Sequence, residues 1–166
     1  TRPLRIGTRG SALALAQAHE TRARLMAALG LPEDAFEIEV ISTSGDRIQD
    51  RPLSEAGGKG LFTKELEVAL VKNRADLAVH SLKDLPTEPV EGLLLGCVPR
   101  RAESGDAVVV ARPLEHSGDS GSGLEVIAEG SRVGTGSPRR AAQIRHCRGD
   151  LQVVGIRGNV ETRLRK

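Results

Sequence analysis

Aromatic side chains are almost missing from this 166-residue chain, which has no Trp, no Tyr and only Phe36 and Phe62. A core built from it must be aliphatic, and the stacking platforms that hold single-stranded nucleic acid are absent, so no nucleic-acid partner is expected. Cysteine is equally scarce: Cys97 and Cys147 cannot make a disulfide framework. Cys97, inside "LLLGCV", reads as a small buried hydrophobe, and Cys147, inside "IRHCR", as an ordinary thiol at a helix end. The sequence contains no secretory signal, stop-transfer run or lipidation signal, so a cytoplasmic protein without membrane contact is expected. The four histidines (His19, His80, His116 and His146) have no metal-ligand spacing, and no metal is expected.

What the chain does have is an ordinary soluble balance, 39% apolar and 28% charged, with enough length for a real core. The net charge of +2 is unevenly spread. Residues 1–98 hold 12 basic and 14 acidic side chains, whereas residues 99–166 hold 12 basic and 8 acidic. From Arg132 onward only Asp150 and Glu161 stand against 9 basic residues, a local excess that points to an anionic ligand or partner.

Apolar runs of strand type alternate with helical patterns. "LRIGT" (4–8), "FEIEVIST" (36–43), "ADLAVHS" (75–81), "GLLLGCV" (92–98), "DAVVVA" (106–111), "SRVGTG" (131–136) and "LQVVGI" (151–156) read as strands. Helices are expected over 11–29, with Leu13, Ala16, Leu25 and Leu29 near one face, over 62–73, from Ser137 and over 159–166. This alternation predicts an α/β fold with parallel sheets and crossover connections. Residues 44–60 lack any apolar period and suggest a functional lid or disorder, mobile without ligand, while 112–123 reads as a solvated loop. "PRRAESGD" (99–106) is the candidate junction between a first domain at 1–98 and a second at 99–166. The last helical pattern runs to Lys166 without a stop signal, which suggests a fragment with an incomplete second domain.

The chemistry gathers after the strands. Arg9 and Ser11 follow the first, and Lys83 and Asp84 follow "ADLAVHS". Ser137, Arg139 and Arg140 follow "SRVGTG", and Arg157 and Arg163 follow "LQVVGI". In open parallel sheets ligands bind beyond the carboxyl ends of the strands, where helix N-termini also point. "GTGSPRRAAQIR" (134–145) is the sharpest case: Ser137 is placed to cap a helix with Pro138 in its first turn, yet two arginines follow where the helix dipole disfavours cations. Any one such arginine is ordinarily solvated; the repetition at four junctions suggests an anionic ligand with several carboxylates, which the planar Arg fork grips in pairs. Asp84, a carboxylate among cations, is either a neighbour of Lys83 or a helix cap, or else serves a reaction that develops positive charge or moves a proton. "GGKG" (57–60) fails the P-loop spacing, and "GDSGSG" (118–123) is not a dinucleotide fingerprint.

Four stretches, "LRIGTRGSALALAQA" (4–18), "GGKGLFTKELEVALVKNRADLAVHSLKDLP" (57–86), "GTGSPRRAAQIR" (134–145) and "IRGNVETRL" (156–164), closely resemble the porphobilinogen deaminase (hydroxymethylbilane synthase) family. The resemblance implies a transferase that condenses four porphobilinogen molecules to hydroxymethylbilane, releasing ammonia, on the route to haem. It implies two domains like those of type II periplasmic binding proteins, and a third domain, absent here, whose cysteine carries a covalent dipyrromethane cofactor beyond Lys166. It implies a monomer with porphobilinogen as its small-molecule substrate. By the same resemblance Asp84 matches the catalytic carboxylate. Arg9, Ser11, Lys83, Thr135, Ser137, Arg139, Arg140, Arg157 and Arg163 match positions that bind carboxylates of cofactor and growing chain. Lys59 matches a loop lysine and Phe62 a ring near the substrate. Glu55 stands where the family often has lysine, Gly136 replaces a common serine, and neither Cys97 nor Cys147 matches the cofactor cysteine. The resemblance implies that this chain by itself is inactive. The competing expectation is a non-catalytic module that binds a small polycarboxylate.

Overall fold

A computed structural model of the chain describes residues 2–48, 60–110 and 123–165. The chain separates into two units, Thr1–Val98 and Pro99–Lys166. In the first, strand β1 (Leu4–Thr8) lies between β2 (Phe36–Val40) and β3 (Leu77–Ala78). Both neighbours run parallel to it, with Leu4 opposite Phe36, Thr8 opposite Val40 and Ile6 opposite Leu77. Parallel strands need crossovers, and helix α1 (Ala12–Leu29) supplies the first of them. A short helix α2 (Ser44–Arg47) and then α3 (Lys64–Val71) precede β3. The ladder continues past its formal ends: the Ile41 amide donates to Thr8 O at 2.8 Å and the Val79 amide to Gly7 O at 3.0 Å.

Successive residues of a strand face opposite sides, and β1 shows it. Ile6, fully buried, packs with Ala18 of α1 and Phe36, backed by Leu25 and Met26. Gly7 turns its Cα to the other side, where a Cβ would lie 3.2 Å from that of Ala75. There Leu66 and Ala69 of α3 pack with Ile41 and Ala75. The core of this unit is thus aliphatic apart from Phe36.

In the second unit β4 (Arg132–Thr135) pairs in parallel with β5 (Gln152–Gly155), from Arg132 opposite Gln152 to Thr135 opposite Gly155. Helix α4 (Pro138–Cys147) makes the crossover, and α5 (Val160–Leu164) follows β5. Among the described residues of this unit, Leu151 is the buried apolar one.

Several expectations change. Residues 92–98 and the described residues of 106–111 form no strand, and Leu94, Leu95, Val98 and Val109 are exposed. A strand needs a neighbour for its amides and carbonyls, and among the described residues neither run pairs with one. Cys97 is accordingly exposed rather than buried, as is Cys147 at the end of α4. On α1 the side facing the sheet carries Ala18, Leu25 and Met26, while Leu13 and Leu29 are exposed. An alanine-rich helix offers more than one apolar stripe, and contact with Ile6 and Phe36 selects among them. Residues 44–47, expected to be irregular, form α2 with Ile48 after it; 49–59, and 112–122, lie outside the described residues.

Candidate functional site

All three strands of the first sheet run the same way, so the segments that leave them gather at one edge. β1 delivers Arg9, β2 leads through Ile41 and Thr43 into α2, and β3 leads to His80 and a 3-10 turn over Leu82–Asp84. Arg9 is the centre of the group. Its Nε donates to Oδ1 and Oδ2 of Asp46 at 3.1 and 3.2 Å, and Nη2 also donates to Oδ1. Nη1 lies 3.7 Å from Oδ2 of Asp84, and the guanidinium sits 4.1 Å from the centre of the Phe62 ring. That stacking is a cation–π contact.

Local sequence explains why α2 forms. Thr43 caps it and Asp46 reaches back to the Thr43 amide, a reciprocal capping box. Thr43 is fully buried, and its Oγ1 donates to Asp46 Oδ2 at 2.7 Å. Burial pushes the Asp46 carboxyl up, but the bonds from Arg9 and Thr43 outweigh it and leave the group below its ordinary value. The helix is moored to the start of α3. Gly45 N donates to Leu61 O at 2.7 Å, and Glu65 Oε1 accepts from Ser44 N at 2.9 Å and from Arg47 Nη2 at 3.1 Å. Burial raises the Glu65 carboxyl, but the bonds from Ser44, from its own backbone amide and from Arg47 together outweigh it, so it too lies below its ordinary value. Gly45 must be glycine for this docking: a Cβ there would come within 2.7 Å of Phe62 Cζ and closer still to two other ring carbons.

Asp84 does not cap a helix; it closes the 3-10 turn, its amide donating to Ser81 O at 2.9 Å. His80 is half-buried nearby, and burial drives its pKa down, opposed by the charges of Asp84 and Glu67 and aided by Arg9. Ser11 caps α1 by accepting from the Ala14 amide at 3.3 Å. Lys83 is exposed beside Asp84. Lys59 and Glu55 lie outside the described residues.

In the second unit the other expected residues also share one sheet edge. Thr135 ends β4, and its Oγ1 accepts from the Ser137 amide at 3.2 Å. Ser137 caps α4, with Pro138 in the first turn, and accepts from the Arg140 amide at 3.4 Å. Arg139 is exposed at the start of that helix. Arg140 forms an ion pair with Asp106, its Nε donating to Oδ2 at 2.9 Å, and this bond holds the carboxyl of Asp106 below its ordinary value. Arg157 follows β5 with Nη1 buried, and Arg163 donates from Nε to Gly158 O at 2.7 Å. A Cβ on Gly136 would stand 2.8 Å from Ile156 O and 3.7 Å from Arg163 Nη2. A serine at that position would therefore require the ends of β4 and β5 to shift.

Each unit gathers cationic side chains, with acids among them, at the carboxyl ends of its parallel strands, and such groups suit ligands that carry carboxylates. The family model described as porphobilinogen deaminase, dipyromethane cofactor binding domain, matches residues 4–166. The chain belongs to the porphobilinogen deaminase family. A porphobilinogen deaminase of Paracoccus denitrificans (strain Pd 1222) is 55% identical over 164 residues, which cover 99% of this chain. The chain spans about half the length of that curated relative.

Asp46, which grips Arg9, and Thr43 and Gly45, which bond that acid and leave room for Phe62, escaped the sequence reading. The signal was present in "TSGD" (43–46), which has capping-box spacing. A four-residue helix is too short to show a period, so only the cap marks it.

Proposed function

We propose that this chain works within a porphobilinogen deaminase, a hydroxymethylbilane synthase that joins four porphobilinogen molecules head to tail and releases ammonia at each step. The observation that carries the reading is Asp84, an acid held 3.7 Å from Arg9 at the sheet edge of a family member. Breaking the bond to the substrate's amino group leaves a pyrrole cation as ammonia departs. Asp84 is suited to stabilise the positive pyrrole N–H and to take part in moving the proton lost when the new carbon–carbon bond forms. Arg9, Ser11 and Lys83 would hold substrate and chain carboxylates, with Phe62 near the substrate ring and Lys59 as a further cation for the substrate.

The dipyrromethane cofactor carries acetates and propionates, and the donor set of the second unit suits it. Thr135, Ser137, Arg139, Arg140, Arg157 and Arg163 together offer hydroxyls and guanidinium forks. When bound, it supplies the free pyrrole carbon at which the chain is extended. In this reading its covalent anchor is a cysteine of a further domain, and Cys97 and Cys147 are bystanders. In the same reading the units belong to domains of the type II periplasmic-binding-protein kind, and the protein acts as a cytoplasmic monomer on a small molecule, without nucleic acid or membrane. No described helix is long and apolar enough to cross a membrane.

The test is the intact mass of the full-length protein before and after brief exposure to porphobilinogen. A resting mass heavier than the polypeptide by two pyrrole units, followed by a ladder of added units, is the expected result. A bare polypeptide mass that never changes would overturn the reading in favour of a binding module.

A further inference from the structure

Asp46 stands outside the sheet, in a helix of four residues, yet its carboxylate ties the residue that leaves β1 to the cap of that helix. Oδ2 accepts from Thr43 Oγ1 at 2.7 Å and from the Thr43 amide at 3.4 Å, while both oxygens accept from Nε of Arg9. Together with the bond from Nη2 this occupies one whole edge of the Arg9 guanidinium. The face of the same group rests on Phe62, and Gly45 leaves the ring its space. Only the Nη1 side is turned toward Asp84, at 3.7 Å, longer than a hydrogen bond.

We propose that Asp46 is a positioning residue: it holds one edge of Arg9 so that Nη1 is presented beside Asp84, ready for an incoming carboxylate. The inference rests on the reading of Arg9 as a carboxylate-binding residue. The physical need is plain. A long arginine is costly to order, and a neighbour that orders it beforehand removes that cost from ligand binding. An arginine free of Asp46 would also collapse onto the nearest remaining acid, Asp84, and occupy the oxygens that the substrate's pyrrole N–H requires. Asp46 competes for the guanidinium and keeps the two apart. The bonds from Arg9 and Thr43 keep Asp46 ionised at neutral pH despite its burial.

The test is a double-mutant cycle in the full-length enzyme, with Asp46→Asn, Arg9→Gln and the pair, read as turnover of porphobilinogen. Asparagine can still accept the Thr43 hydroxyl bond but loses one acceptor and the charge toward Arg9. Each single change is expected to lower turnover by about tenfold or more, the size of a lost charged hydrogen bond. The pair should be no worse than Arg9→Gln alone, and Asp46→Glu should recover part of the loss. Losses that multiply in the double variant would overturn the proposal, because Asp46 would then act through α2 and not through Arg9. Exchange of the Arg9 Nε proton, followed by NMR in the same proteins, judges the clamp even if porphobilinogen is not turned over. Exchange about tenfold faster in Asp46→Asn than in wild type and Asp46→Glu supports it; equal exchange in all three overturns it.

Discussion

Nη1 of Arg9 stands 3.7 Å from Oδ2 of Asp84 while Asp46 takes the opposite edge of the same guanidinium. One cation thus lies between two acids, the three arriving from the ends of three different strands.

Replacing Asp84 by Ala removes the only one of the two acids not tied to a helix cap. Turnover by the full-length protein is expected to fall by about 10²–10⁴-fold, the range for losing a group that moves a proton. Carboxylate binding should survive. Unchanged turnover would leave Asp84 as a mere neighbour of Lys83.

Gly45→Ala drives a methyl group into the Phe62 ring, which must leave its seat against Arg9. The cost is about 1–3 kcal/mol, as for other overpacked sites. Urea unfolding of wild type and variant measures it, and an equal midpoint would show that the ring has room to move.

His80 has a pKa below the ordinary histidine value because burial disfavours its charged form more than Asp84 and Glu67 favour it. The unfolded chain therefore takes up this proton first as the pH falls. The stabilisation is complete above about pH 6.5, the unfolded value, and is lost as the pH drops through the lower folded value. His80→Gln should flatten this part of the stability curve, measured by urea midpoints between about pH 8 and about pH 5. An identical slope in the variant would remove His80 as its source.

The two arginines that open α4 should separate by experiment. Arg139 is exposed with no carboxylate bonded to it among the described residues, so Arg139→Leu should lower cofactor content while leaving thermal stability unchanged. Arg140→Leu should lower cofactor content and also break the exposed pair with Asp106, which solvent screening makes a small contributor to stability. Cofactor content is read from intact mass, and normal content in both variants would remove them from the carboxylate site.

Much of this was legible in the chain itself. Alternating "FEIEV", the cap at Ser137 followed by Pro138, and a cation after each of four strands are local signals, each settled by neighbours within a few residues. They are sufficient for parallel sheets and for the placing of Arg9, Asp84, Ser137 and Arg139 at strand ends. The long motifs carried the family as well. The runs at 92–98 and 106–110 misled for the complementary reason, since apolar composition marks a segment fit for burial but does not provide the partner strand.

Tertiary structure alone decided who meets whom. Arg9 and Asp46 are 37 residues apart, and nothing in their spacing says that one carboxylate will close on that guanidinium while Asp84 waits at the other side. The stripe of α1 that faces Ile6, and the ring of Phe62 resting against Gly45, likewise follow from which elements pack together. Caps and alternation act along the chain and can be read there. Ion pairs and packing act through space at distances of a few ångströms, and only the folded sheet sets those.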